Sequence, residues 1–284
     1  MNNTPDSIDI KKLEEQVKKI PSGIRWEIMQ RFNENGCTEL VKLFILQGQI
    51  SGIRDAALYG QLDTVKIQYE LGNNAYTKET YIGCMEDACK RGHTEIVDFF
   101  INTVGVDVNV NVTDDNKKPT TPLMLASKNS KLEVVKCLLE NGATTDFDDY
   151  AFNEAFNYAV KNNDKAIVEA LFEATHQNRV SVSAIYLSTG NVDILKFLVG
   201  KEHDAIDWIK LAICAIAKDS VESLEWILVN SGVEYDYDYL AKIAADDNTC
   251  VETANLLERY GARNYLKEKK GRWRLAGTLA ALED

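Results

Sequence analysis

Within residues 120–143 the apolar positions change spacing once. Thr121 and Pro122 predict a helix start, because the hydroxyl can cap free amides and Pro at a first helical turn loses no bond it needed. Leu123, Leu125 and Ala126 keep this first helix short and narrow, and Asn129-Ser130 breaks it. Leu132, Val134, Val135, Leu138 and Leu139 then stand at the spacing of a second amphipathic helix. Gly142 ends it at a C′ position, where a left-handed backbone carries no Cβ penalty. Two helices this short cannot bury both apolar faces alone, so the pattern predicts copies beside it.

Copies are present. With Ser130 as reference column, its equivalents are Gly36, Gly60, Gly92, Asn163, Gly190, Asp219 and Thr249. Three residues on stand Glu39, Asp63, Glu95, Glu133, Ala166, Asp193, Glu222 and Glu252, seven acids in eight. Five residues on, Val41, Val65, Val97, Val135, Val168, Leu195, Leu224 and Ala254 are all apolar. The column of Leu138, eight residues on, is apolar except at Gln68. Four residues before the reference come Phe32, Ala56, Ala88, Ala126, Ala159, Tyr186, Ala215 and Ala245. These columns define eight repeats, at roughly 24–48, 51–72, 81–104, 121–143, 152–174, 181–200, 207–230 and 239–262. Acid-column spacings run 24, 32, 38, 33, 27, 29 and 30. The helix pair is therefore kept while the connection between pairs varies.

Thr121-Pro122-Leu123, Ala126, Glu133-Val134-Val135, Leu138-Leu139 and Gly142-Ala143 resemble one ankyrin repeat, a family with a period of about 33 residues. The family usually has His where Met124 stands and Gly where Ser130 stands, and losing that His removes a hydrogen bond to the Thr side chain. The resemblance implies an all-α solenoid of about eight degenerate helix-pair repeats with irregular finger loops and helical caps. Residues 106–120 make a long finger, and Gly48 to Ser51 leaves almost none. From Asn153 onward the first-helix start decays, with Lys242 at the place of Leu123 and with bulky Phe152, Phe156, Trp208 and Trp226. This degeneracy is similar in style to ankyrin proteins of intracellular bacteria or amoeba-associated viruses. That likeness implies a host-directed effector acting in the cytoplasm.

The ends are expected to be caps. Ile10, Leu13, Val17 and Ile20 form one stripe of a helix over 7–20, which Pro21 ends. The chain thus divides into an N-terminal capping helix at 1–23, the array at 24–264 and a C-terminal capping helix at 265–284. The last carries Leu275, Leu279 and Leu282 on one stripe and the basic cluster Lys267, Lys269, Lys270, Arg272 and Arg274. Either end helix could instead meet a partner. Ile20-Pro21 through Ile28-Met29 faintly resembles the start of an F-box, which would make the chain a ubiquitin-ligase adaptor; Gly23 and Arg25-Trp26 depart from it.

Charge narrows the partners. A net charge of −12 disfavours nucleic-acid phosphates and anionic membranes and fits another protein with a basic surface. Met1–Ile10 has no apolar signal core, and no run reaches the roughly 18 apolar residues of a membrane span. The six Cys, with no C-x-x-C pair, read as reduced thiols. A monomer is expected.

No P-loop, G-x-G-x-x-G or H-E-x-x-H pattern occurs. The histidines are His93, His176 and His203, none with a Cys or carboxylate at metal-ligand spacing. The reading is therefore non-enzymatic, with no catalytic, metal or cofactor site. Its rival is an enzyme or covalent modifier embedded in the repeats, with Cys84 or Cys89 beside His93 as the conceivable pair. Ile101, Asp107, Val108 and Asn109 resemble the loop that asparaginyl hydroxylases modify, although a finger turn explains them far better.

In ankyrin arrays the partner meets the fingers and the concave face of the first helices. Two fingers here combine acids with aromatics: Asp146, Phe147, Asp148, Asp149, Tyr150 and Glu234, Tyr235, Asp236, Tyr237, Asp238, Tyr239. Tyr offers contact area at low entropy cost and carboxylates steer basic partners, so these eleven residues are the candidate partner-binding set. Some of the aromatics could instead pack beneath their finger.

Overall fold

The computed structural model describes residues 52–71, 76–113, 119–144, 150–175, 180–201, 203–246 and 250–265, with single positions between 15 and 45. Most of the helix expected at 7–20, most of the first repeat and the tail at 266–284 lie outside the described residues. Two compact units divide the chain, Met1–Thr144 and Thr145–Asp284.

In the first unit the helix pairs are α1 (Ile53–Leu58) with α2 (Leu62–Leu71), α3 (Lys78–Arg91) with α4 (Thr94–Phe99), and α5 (Pro122–Lys128) with α6 (Leu132–Glu140). A π turn, Phe100–Val104, continues α4. First helices pack on first helices, α1 on α3 and α3 on α5; α4 packs on both α2 and α6. Ahead of α1, Phe32 and Ile45 pack against a cluster of Val41 and Ile67, as a preceding repeat would.

The second unit has four pairs: α7 (Tyr150–Lys161) with α8 (Lys165–Ala174), α9 (Val182–Leu187) with α10 (Val192–Val199), α11 (Trp208–Ala217) with α12 (Val221–Asn230), and α13 (Tyr237–Asp246) with α14 (Val251–Arg259). A 3₁₀ turn, Ser188–Gly190, follows α9. The same stacking rule holds, with α7, α9, α11 and α13 in one row and α8, α10, α12 and α14 in the other. The fold class is all-α. Its one extended feature among the described residues is a ribbon in the long finger, β1 (Val112–Thr113) against β2 (Pro119–Thr120), antiparallel with Val112 opposite Thr120.

Local signals act as expected around α5. The Thr121 hydroxyl accepts the Met124 amide at 3.3 Å, so the turn is capped without the family's histidine. Gly142 is left-handed at φ 85°. The short helix is enclosed: every residue from Pro122 to Ser127 is buried, because α3 and α6 both pack against it.

The repeat columns have physical meanings. Phe100, Leu138, Leu171, Leu198, Ile227 and Leu257 occupy equivalent core positions with no exposed surface. Gln68, the polar exception, is also buried, and its amide oxygen accepts the Tyr76 hydroxyl at 3.2 Å, which satisfies it. Asp63, Glu95, Glu133, Asp193, Glu222 and Glu252 are exposed in the first turns of the second helices, where a carboxylate suits the helix dipole. The reference column is a backbone requirement in five repeats; Gly190, which ends the 3₁₀ turn, is not left-handed. Gly60 and Gly92 are left-handed there, and so are Ser130 at φ 58°, Asn163 at 60° and Asp219 at 48°.

Successive turns also roof one another. A Cβ on Gly60 would stand 2.6 Å from the His93 ring, and His93 Nε2 lies 3.0 Å from the Leu58 carbonyl oxygen. Lys131 covers Gly92 and Lys218 covers Gly190 in the same manner, with Lys218 Nζ donating to the Leu187 carbonyl. His93 is thus a stacking residue between repeats.

Candidate partner-binding site

The finger between α12 and α13 shows how its aromatics and acids are divided. Gly232, left-handed at φ 67°, turns the chain after α12. Tyr235 then folds beneath the loop: it is 7% exposed, and its hydroxyl donates to Ser231 Oγ at 2.9 Å. Its ring is not open to a partner, which removes it as a surface anchor. Asp236 accepts the Tyr239 amide at 3.0 Å and so caps α13. Tyr237 packs on Tyr260, ring centroids 5.5 Å apart. Asp238 accepts the Arg263 amide at 2.7 Å, and the guanidinium lies 3.4 Å from its other oxygen.

Three groups are left facing water. Tyr239 is 53% exposed, and Glu234 and Asp236 are exposed beside it in sequence. Of the other candidate finger, Asp146, Phe147, Asp148 and Asp149 lie outside the described residues, as does the side chain of Tyr150, which opens α7.

The long finger is anchored by Asn109. Its amide nitrogen donates to the Gly142 carbonyl at 3.3 Å, and its oxygen accepts the Thr144 amide at 2.9 Å. Asp107 accepts the Asn109 backbone amide at 2.9 Å. Asn109 therefore ties the start of one finger to the start of the next. Sequence reasoning singled out this residue on a modification pattern alone and missed its bridging role. It likewise read Asp219 only as a turn position and missed that its carboxylate accepts the Thr253 amide and hydroxyl, one repeat period on.

The thiols are placed against nucleophilic work. Burial pushes the Cys84 thiol up to about 12 and raises Cys89 as well, so both stay protonated at neutral pH. Among the described residues no group of His, Cys, Asp and Glu is arranged to hold a metal ion, and no helix is long and apolar enough to cross a membrane.

The family model described as ankyrin repeats (3 copies) matches residues 28–149 and 85–182, which together span more than half of the chain. Two solved structures are similar. The human ASB11 ankyrin repeat domain is 20% identical, with 63% of this chain and 84% of that one covered at a TM-score of 0.49. The ankyrin repeat domain of Bcl-3, described as a unique member of the IkappaB protein family, is 19% identical, with 63% and 86% covered at 0.45. No curated protein matches the sequence. Ankyrin repeat domains generally mediate protein–protein interaction. With the family model matching more than half of its length, the chain belongs to the ankyrin-repeat family.

Proposed function

We propose that this protein is a non-enzymatic binding module. It acts as a monomer and takes up another protein with a basic surface through the fingers at 146–150 and 234–239 and the concave face of the first helices. Exposed Tyr239 carries this reading. Its backbone is fixed by the Asp236 cap, and neighbouring Tyr237 and Asp238 are held by Tyr260 and Arg263. An exposed tyrosine on a rigid base loses little entropy on binding, and Glu234 and Asp236 supply attraction for a cation. A reducing cytoplasm suits the six free thiols.

The test is affinity enrichment from cell extract with the intact chain and a Tyr239→Ala, Glu234→Lys variant side by side. A protein retained by the intact chain and lost from the folded variant supports the proposal. Equal retention on both would place the site elsewhere.

A further inference from the structure

A second surface in the first unit has the features of a side-chain receptor. Tyr69 near the end of α2, Tyr76 just before α3 and Tyr81 on α3 line a notch of about 490 Å³ with Val104 and Val106. Glu70 and Lys78 stand at its rim and are exposed. The walls are fixed from behind. Tyr69 packs edge-on to Phe99 at 5.5 Å, and Tyr81 packs on Phe100 at 6.1 Å. Tyr76 donates to buried Gln68.

The rings are also inclined to one another. Tyr81 meets Tyr69 at 64° and Tyr76 at 62°, with centroids 5.9 and 6.1 Å apart. Two rings tilted against the central Tyr81 form a partial box instead of a flat stack.

The local backbone accounts for the opening. After α4 the chain widens into the π turn, and left-handed Gly105 then reverses it, with the Val106 amide donating to the Phe100 carbonyl at 2.9 Å. At the next junction Asn109 draws the finger bases together. Here tyrosine rings line the gap.

We propose that this notch receives one arginine side chain from a basic segment of a partner protein. The proposal rests on the protein-binding reading above. Tilted aromatic faces attract a cation, and a planar guanidinium can stack on a ring in a way an ammonium cannot. Glu70 offers a carboxylate that the guanidinium fork can engage with two hydrogen bonds. The net charge of −12 draws basic segments in. Lys78 on the same rim opposes a second cation within the notch, so a single arginine enters. The volume suits one long side chain with its neighbouring backbone and excludes a helix.

The experiment follows the tyrosine ring resonances of the full chain as the peptide acetyl-Gly-Ser-Arg-Ser-Gly-amide is added. A matched peptide with citrulline, which keeps the shape and loses the charge, is titrated in parallel, and a proline-rich peptide tests for a different occupant. Saturable shifts with the arginine peptide, at least fivefold weaker with citrulline, are expected. Glu70→Gln, an exposed change that leaves the rings in place, should weaken the arginine peptide severalfold. Tyr81→Phe should retain binding and Tyr81→Leu should lose it.

Equal binding of the citrulline peptide, preference for the proline-rich peptide, or indifference to Glu70→Gln would overturn the proposal. The two readings fail separately. A partner captured through Tyr239 that ignores Glu70→Gln removes the notch and keeps the binding module. Arginine-specific shifts without any Tyr239-dependent partner do the reverse.

Discussion

Asp219 holds Thr253 twice, accepting its backbone amide at 2.8 Å and its hydroxyl at 2.9 Å. The two residues lie in successive repeats. Asp219 sits in the left-handed turn before α12 and caps the first turn of α14, where the Glu252 amide also points at its second oxygen from 3.3 Å. The turn column therefore does more than reverse the chain. Where the family commonly has glycine, this repeat has a carboxylate that joins it to the next one.

Asp219→Ala should cost about 1–2 kcal/mol, since it removes a helix cap and leaves a Cβ in a left-handed position without compensation. Thr253→Val, which loses only the hydroxyl, should cost less, about 0.5–1.5 kcal/mol. Urea unfolding of both variants checks the order. Equal midpoints for Asp219→Ala and wild type would remove the cross-repeat cap.

Gly60 and His93 should be coupled. Gly60→Ala strains a left-handed backbone by about 1–2 kcal/mol and also drives a methyl into the imidazole. In a His93→Ala background only the backbone part remains, so the double-mutant cycle should show a coupling of about 0.5–3 kcal/mol. A coupling near zero would mean that the ring does not roof the turn.

Leu138, with no exposed surface, should be costly to truncate. Leu138→Ala is expected to lose about 2–5 kcal/mol. Glu133→Ala, on the exposed side of the same helix and paired with Lys136 across 3.1 Å, should stay within about 0.5 kcal/mol. Denaturation midpoints that fail to separate these two would contradict the repeat register.

Stability should fall in alkali through the buried thiols. Cys84 ionises at about 12 in the fold, above its usual value near 9. Between those values the unfolded chain has released a proton that the folded chain retains. Rising pH therefore favours unfolding, and the stabilisation present below about pH 9 is lost progressively toward about pH 12. Removing the thiol with Cys84→Ala should flatten this slope. Iodoacetamide labelling at pH 8 should miss Cys84 until the chain unfolds; rapid labelling of the native protein would contradict its burial.

Most of the fold was legible because it is written several times. The columns of Leu138, Val135 and Ser130 each state one requirement, burial or a left-handed turn, and repetition separates requirement from chance. The candidate site was less legible because fingers carry no such column. Nothing in Glu234-Tyr235-Asp236-Tyr237-Asp238-Tyr239 distinguishes the tyrosine that folds under the loop from the one that faces water. That is decided by Ser231 and Tyr260, which take Tyr235 and Tyr237 and leave Tyr239 exposed. The tyrosine notch was hidden for a related reason, since Tyr69 and Tyr81 belong to successive repeats, Tyr76 lies in the connection between them, and the rings meet only across that junction.

This division separates stability from binding within one finger. Tyr235→Ala should destabilise the second unit by about 2–4 kcal/mol, as loss of a buried aromatic does, while Tyr239→Ala should leave the unfolding midpoint unchanged.

The most direct test of the binding-module account is the kinetics of the enriched partner at two salt concentrations, with circular dichroism confirming that each variant is folded. Tyr239→Ala is predicted to speed dissociation by about five- to thirtyfold, the effect of losing an anchor worth about 1–2 kcal/mol. Glu234→Lys is predicted to slow association and weaken its salt dependence, since exposed charges act on encounter. Wild-type rates for both folded variants would contradict the account.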